Sequence, residues 1–355
     1  MARRKQEMEQ TMHTNELSRR EFIGGLSIAP AVALAGQRDR ALIKPPALRP
    51  GATIGLVAPA SPVFEPSEIR EGKAAMEALG FRVKLAEHIS RKWGYLAGSD
   101  QERSQDVMNM FLDPEVSAIV ALRGGYGALR ILPYLDYEAI RKNPKILLGY
   151  SDVTSLHLAI FKLAGIVTFH GPVALSTFND YSTRYFRKTL MQNQAVGVIE
   201  EPAAGLPALQ ALGKKSGRAQ GALVGGNMTL VCAGLGTPYE IETQDRVLFL
   251  EEVGEEPYAL DRMLTQLDQA GKLRGCRAIL LDRCTKCRPA EYKPAFNNTL
   301  SVEEIISDRL DRLDIPVLFG LSLGHVADKP VLPLGVQVAV DADQGCYEIL
   351  EPAVS

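Results

Sequence analysis

A serine sits where an apolar run meets a helical stripe. Ile146-Leu147-Leu148-Gly149 leads into Tyr150-Ser151-Asp152, and beyond it apolar residues recur at Val153, Leu156, Ala159, Ile160 and Leu163. That spacing predicts a strand, a tight turn and a helix, with Ser151 at the turn. A serine there lifts its hydroxyl above the sheet edge. The first helix amide, on Asp152, would then point to where an oxyanion forms. The chemistry on offer is nucleophilic attack on a carbonyl. The plainer role is an N-cap, since serine is a favoured cap residue, and this segment alone leaves both roles open.

The run Gly149-Tyr150-Ser151-Asp152-Val153 is similar to the Gly-x-Ser-x-Gly elbow of serine hydrolases, with valine in place of the last glycine. Such a serine needs a base within hydrogen-bond reach and a third group to orient that base. Five histidines limit the choice. His13 is close to the N-terminus, His88 is in a polar connection, and His157 falls inside the helix that Ser151 starts. His170 follows a strand just before Gly171-Pro172, and His325 is in the loop Leu323-Gly324-His325-Val326-Ala327-Asp328. For the orienting group, Val247-Leu248-Phe249-Leu250 reads as a buried strand ending in Glu251-Glu252. A carboxylate there costs free energy unless it is paired. Either glutamate could be that group, or both could face solvent.

The elements that must position these groups alternate. Strands are expected at 53–58, 81–85, 116–122, 146–149 and 167–169, with helices at 68–79 and 100–112 and the helix after Ser151. Alternation of this kind predicts a mostly parallel sheet covered on both faces, with its ligand site beyond the carboxyl ends of the strands. Residues 201–221 lack periodicity and read as a linker. The part from 222 to 355 has Gly225-Gly226-Asn227 before a helix, then strands at 247–250, 278–281, 317–319, 336–340 and 347–350. Helices are expected at 258–270 and 302–313. The expected architecture is therefore an N-terminal α/β domain over 37–200, the linker, and a smaller β-rich α/β domain over 222–355.

A chain of 355 residues with 46% hydrophobic residues can bury a large core, enough for two domains. The formal net charge of -2, with no basic stretch interleaved with aromatics, argues against nucleic acid as a partner. At the N-terminus, Ser18-Arg19-Arg20-Glu21-Phe22-Ile23 precedes an uncharged, largely apolar run to Gly36 with small-x-small sites at Ala31-Val32-Ala33 and Ala33-Leu34-Ala35. This order matches a twin-arginine export signal over 1–36 and places the mature protein in the periplasm. The run is too short for a permanent membrane anchor. Five cysteines include Cys284-Thr285-Lys286-Cys287. No second such pair or nearby histidine supports a metal, so a local disulfide or plain thiols are expected.

Several motifs appear in order: Gly51-Ala-Thr-Ile-Gly-Leu-Val-Ala-Pro-Ala-Ser61, Gly94-Tyr-Leu-Ala-Gly98, Arg123-Gly-Gly-Tyr-Gly127 and Gly149-Tyr-Ser-Asp-Val-Thr154. Gly225-Gly-Asn-Met-Thr229, Leu248-Phe-Leu-Glu-Glu252, Asp261-Arg262, Gly324-His325 and Leu332-Pro-Leu-Gly335 follow. Taken together, the chain resembles the LD-carboxypeptidases, the murein tetrapeptide carboxypeptidases of serine peptidase clan S66. The resemblance covers nearly all of the mature chain and implies an active site in the groove between the two domains.

It implies Ser151 as nucleophile, Glu251 as the orienting carboxylate and His325 as base. It also implies oxyanion donors at the Asp152 amide and at one amide of the Gly124-Gly125 turn, that of Gly125 in preference to Gly124. Asn227 joins these as a substrate-binding candidate. The implied reaction is hydrolysis of the amide between an L-centre and a terminal D-alanine of a murein tetrapeptide or muropeptide. It proceeds through an acyl-enzyme with no metal or cofactor, and a homodimer is compatible with it. Two other functions stay open: a microcin C immunity type hydrolase of peptidyl nucleotides, and a non-catalytic periplasmic muropeptide-binding protein. The loop Asp282-Arg-Cys-Thr-Lys-Cys287, with the segment after it, departs from the family pattern. Tyr292 and Phe296 in that segment are the aromatics a nucleotide would stack on.

Overall fold

Parallel strands buried on both faces need continuous apolar runs, and the central strands of the first sheet obey that rule, while its edge strand Arg82–Leu85 is largely exposed. β1 (Thr53–Val57) and β4 (Ile146–Gly149) are buried at every position. The computed structural model describes residues 41–202, 210–212 and 217–355. The expected export signal at 1–36 and parts of the expected linker lie outside the described residues.

The first sheet joins β1, β2 (Arg82–Leu85), β3 (Val116–Ala121), β4 and β5 (Phe169–His170) in parallel. Its order is β5-β4-β3-β1-β2, and β12 (Leu332–Pro333) closes the β5 edge antiparallel. Helices α1 (Ser67–Ala78) and α2 (Asp100–Leu112) follow β1 and β2. α2 starts where it does because Ser99 and Glu102 form a reciprocal capping box. The short α3 (Ala128–Ile131) and α4 (Tyr137–Lys142) link β3 to β4.

The second sheet has eight strands. Its centre is parallel: β8 (Arg218–Asn227), β9 (Arg246–Glu251), β10 (Ala278–Asp282) and β11 (Val317–Leu321). β13 (Gln337–Asp341), β14 (Cys346–Ile349) and β6 (Gly197–Val198) extend it antiparallel beyond β8, and β7 (Gln210–Leu212) does so beyond β11. Around it lie α7 (Met228–Ala233), α8 (Pro257–Gln269) and α9 (Val302–Leu310); α6 (Asp180–Met191) runs between β5 and β6.

The sheets exchange edge strands, so the expected boundaries fit the chain only in part. β6 lies before residue 201 yet belongs to the second sheet, and the C-terminal β12 belongs to the first. Residues 218–221, within the expected linker, are already part of β8. One apolar core runs through both sheets. α5 (Thr154–Ala164), the helix after Ser151, is wedged between them and is buried except at Phe161 and Lys162. That burial explains why Leu158 is buried beside the expected stripe of Leu156, Ala159, Ile160 and Leu163.

Candidate active site

Ser151 sits just past β4 at φ 62°, in the left-handed region that a non-glycine residue adopts at a cost of about 1–3 kcal/mol. Residues Ser151–Val153 form a tight turn before α5, and neither the turn nor α5 has a side-chain cap. The hydroxyl therefore caps no helix, and the elbow is what remains. His157 supports it from below. Its ring Nε2 donates to Gly149 O at 2.9 Å, and full burial holds its pKa down at about 4, so the ring is neutral.

The Gly124-Gly125 turn flanks the serine. A Cβ on Gly124 would come within 3.2 Å of Ser151 Oγ and 3.5 Å of the Asp152 nitrogen, so only glycine leaves this side open. Gly125 is at φ 120°, and the Tyr126 amide donates to Ser61 Oγ at 3.0 Å, which fixes the turn. The Asp152 carboxylate ties the two loops together by accepting from the Ala128 amide at 2.7 Å. Burial pushes the Asp152 pKa up to about 6 against those backbone donors and the Arg103 charge. Fully buried Arg103 donates to Gly127 O at 2.8 Å and bonds the Asp100 carboxylate.

Glu251 ends β9 with no exposure, and its Oε2 accepts from His325 Nδ1 at 2.7 Å. The Gly324 backbone makes this contact possible, since a Cβ there would fall 2.1 Å from Glu251 Oε2. With Nδ1 donating, Nε2 is the ring atom left for chemistry. Tyr150 packs edge-on against the His325 ring, with centroids 4.8 Å apart. Beside this pair, Asp282 accepts from the Glu252 and Cys284 amides through Oδ1, while Oδ2 and Glu251 Oε1 have no partner. Burial, reinforced by the Glu251 charge, pushes Asp282 well above the ordinary carboxylate range and favours its protonated form.

Ser151, Gly124, Gly125, Tyr150 and His325 line one cleft of about 610 Å³, together with Arg123 and Lys329. No hydrogen bond joins Ser151 Oγ to His325 among the described residues. A cavity of similar size between Phe161, Arg246 and Glu242 is remote from the serine.

The other histidines are engaged elsewhere. His170 is buried, donates to Leu323 O at 3.2 Å, and is driven well below the usual histidine range by burial. His88 Nδ1 lies 2.9 Å from Asp106; His13 is outside the described residues. The two glutamates have separate settings, and neither faces solvent. Glu252 is buried and accepts from Thr229 N and Oγ1, Asn227 Nδ2 and Val253 N.

Asn227 is buried too and is not part of the cleft lining. Its Oδ1 caps α7, and its backbone amide donates to Thr154 Oγ1. Asn227 thus joins α5 to the second sheet, and its structural duties use the atoms expected to meet substrate. All five cysteines are unpaired thiols. No group of three or more metal-ligating side chains occurs among the described residues, and no helix among them is long and apolar enough to cross a membrane.

The arrangement defines a two-sheet α/β protein with a serine elbow on one sheet and a carboxylate–histidine pair on the other, both opening on one cleft. The LD-carboxypeptidase N-terminal domain matches residues 54–171 and the LD-carboxypeptidase C-terminal domain residues 220–340. The chain belongs to this family, peptidase family S66, and is a hydrolase acting on peptides. A probable murein peptide carboxypeptidase of Bacillus subtilis is 40% identical over 317 residues, which are 88% of this chain and 95% of that protein. A muramoyltetrapeptide carboxypeptidase structure from Oxalobacter formigenes is 28% identical with a TM-score of 0.71, covering 85% of this chain and 100% of that one. The wild-type apo structure of the microcin C7 self-immunity protein MccF is 25% identical with a TM-score of 0.77, covering 88% of this chain and 100% of that one.

Proposed function

We propose that the chain removes the terminal D-alanine from murein tetrapeptides through a serine acyl-enzyme. The observation that carries the reading is the Glu251–His325 contact at 2.7 Å, facing the cleft that Ser151 also lines. His325 Nε2 takes the proton from Ser151 Oγ as the oxygen attacks the carbonyl. Glu251 holds the imidazole in the tautomer with Nδ1 protonated and balances the imidazolium charge. The Asp152 amide and an amide of the Gly124-Gly125 turn receive the oxyanion, at about 3 kcal/mol per donor. His325 then gives its proton to the leaving amine of D-alanine, and water, activated by the same ring, releases the acyl group. Arg19-Arg20 and the small-residue sites near Ala35 support export, which would set this activity in the periplasm beside its substrate.

A second reading, hydrolysis of peptidyl nucleotides, draws on the likeness to MccF and on the exposure of Tyr292 and Phe296. Neither aromatic lines the cleft. The test is an assay of the purified chain on free tetrapeptide, disaccharide tetrapeptide and a peptidyl nucleotide. D-alanine release from either tetrapeptide is expected. Faster nucleotide release would favour the second reading, and tetrapeptide binding without turnover would leave a binding protein.

A further inference from the structure

A cation in the cleft has no anion in direct contact with it. Lys329 is only 5% exposed, yet it lines the cleft with Ser151 and His325. No hydrogen bond or ion pair reaches its Nζ among the described residues. Its backbone amide donates to Ser182 Oγ, and the carboxylate of neighbouring Asp328 is taken by the Asn179 side chain. What holds the ammonium is the Tyr150 ring, with Nζ 5.0 Å from the centroid. The opposite claim on that ring comes from His325, packed edge-on at 4.8 Å. One aromatic ring therefore carries both the cation and the base. Burial pushes the pKa of this ammonium down, Glu251 and Asp328 act on it only at a distance, and an incoming anion in direct contact would offset the cost of burial.

The leaving residue of a carboxypeptidase has a fixed anatomy. Its amine nitrogen, which receives the proton from His325, is about 2.5 Å from its own carboxylate carbon, because only the N–Cα and Cα–C bonds separate them. The receptor for that carboxylate must therefore stand close to the base. Lys329 and His325 both pack on the Tyr150 ring and both line the cleft, which puts the ammonium on the same side of the cleft as the base. Arg123, another cation lining the cleft, is held elsewhere. Its guanidinium stacks 4.4 Å over Phe64 and donates to Pro62 O at 3.2 Å. Glu68 and Glu71 also line the cleft and oppose an anion near them.

We propose that Lys329 receives the free α-carboxylate of the substrate's C-terminal residue and so makes the cleft specific for chain ends. The assignment rests on the carboxypeptidase reading above. Its test compares the full chain on a tetrapeptide ending in D-alanine and on the same peptide ending in D-alaninamide. Wild type should favour the acid in kcat/KM by on the order of 100-fold, the scale of one desolvated charge-assisted contact. Lys329→Met should erase that preference by slowing the acid while leaving the amide near its wild-type rate. Lys329→Arg should keep most of the preference, and Arg123→Gln should keep all of it. A role confined to folding would lower both substrates together. Equal wild-type rates on acid and amide would overturn the proposal without reference to any variant, as would a Lys329→Met enzyme that still discriminates. Should the Met variant fail to fold, the wild-type ratio and the Arg variant decide the matter. A wild type that releases neither product would overturn the carboxypeptidase reading itself.

Discussion

Glu251 Oε2 lies 2.7 Å from His325 Nδ1, although the carboxylate ends a central strand and the imidazole sits in a loop 74 residues further on. The contact exists because Gly324 has no side chain. Any Cβ at that position would overlap the carboxylate, at 2.1 Å from Oε2. Gly324→Ala should therefore push the His325 ring and the Glu251 carboxylate apart and lower kcat sharply, although neither of those residues is itself replaced. Turnover on a tetrapeptide, alongside a thermal melt showing a folded protein, checks this. An active Gly324→Ala enzyme would mean that the pair is not needed.

Glu251→Gln removes the charge and keeps the shape. An amide can hold the wrong imidazole tautomer and cannot balance an imidazolium; loss of the equivalent charge in a well-studied serine protease costs about 10⁴ in kcat. A comparable drop is expected here, with KM little changed. A drop of less than about tenfold would remove Glu251 from the proposed mechanism.

Ser151 separates two outcomes that an N-cap would join. Ser151→Ala should abolish D-alanine release without loss of stability, because no helix amide bonds the hydroxyl. Ser151→Gly should go further and raise the melting temperature, since glycine adopts φ 62° freely and relieves strain of about 1 kcal/mol. A cap would show the reverse, with both variants active and less stable. Differential scanning calorimetry with the release assay distinguishes the two.

Much of the positioning was legible in the sequence, because apolar runs, glycine turns and caps are local signals. The helix expected at 100–112 has those bounds in the structure, where Ser99 and Glu102 cap it. The elbow at Ser151 also followed from a run meeting a stripe. What stayed hidden depends on contacts across long stretches of chain. Lys329 is a lysine in a loop until Tyr150 lies beneath it. β6 and β12 are too short to announce which sheet they join. Asn227 reads as a substrate-binding candidate; its bond to Leu230 is a local helix cap, but its bond to Glu252 spans 25 residues, and no local pattern records that one. α6 is capped by Asn179 and buries Tyr185, Phe186 and Leu190, apolar residues set among charged ones in the sequence.

Glu252 should respond unlike its neighbour. It accepts from Thr229 N and Oγ1, Asn227 Nδ2 and Val253 N, so an amide would set its own donor against donors. Glu252→Gln is expected to lower stability by about 1–3 kcal/mol through these mismatched bonds, while kcat stays within a few-fold. Urea unfolding and turnover measured together check this. If turnover collapses in a fully stable protein, the orienting carboxylate has to be reassigned to Glu252.

Two buried groups under the elbow should give stability opposite pH slopes. Asp152 is raised from 3.8 to about 6 by burial, so its folded form holds a proton more tightly than the unfolded chain does. Its stabilisation is complete below 3.8 and is lost as pH rises through about 6, a difference of roughly 3 kcal/mol at 1.36 per pKa unit. His157 is lowered from 6.5 to about 4 by burial, so its contribution is complete above 6.5 and is lost as pH falls through about 4. Asp152→Asn should therefore gain stability on wild type between pH 4 and 6 as pH rises, with the Asp152 backbone amide unchanged. His157→Gln can still donate to Gly149 O, and should gain on wild type as pH falls over the window from 6.5 to 4. Melting temperatures of the three proteins across that range test both signs at once. A variant curve parallel to wild type would show that the group in question keeps its unfolded pKa in the fold.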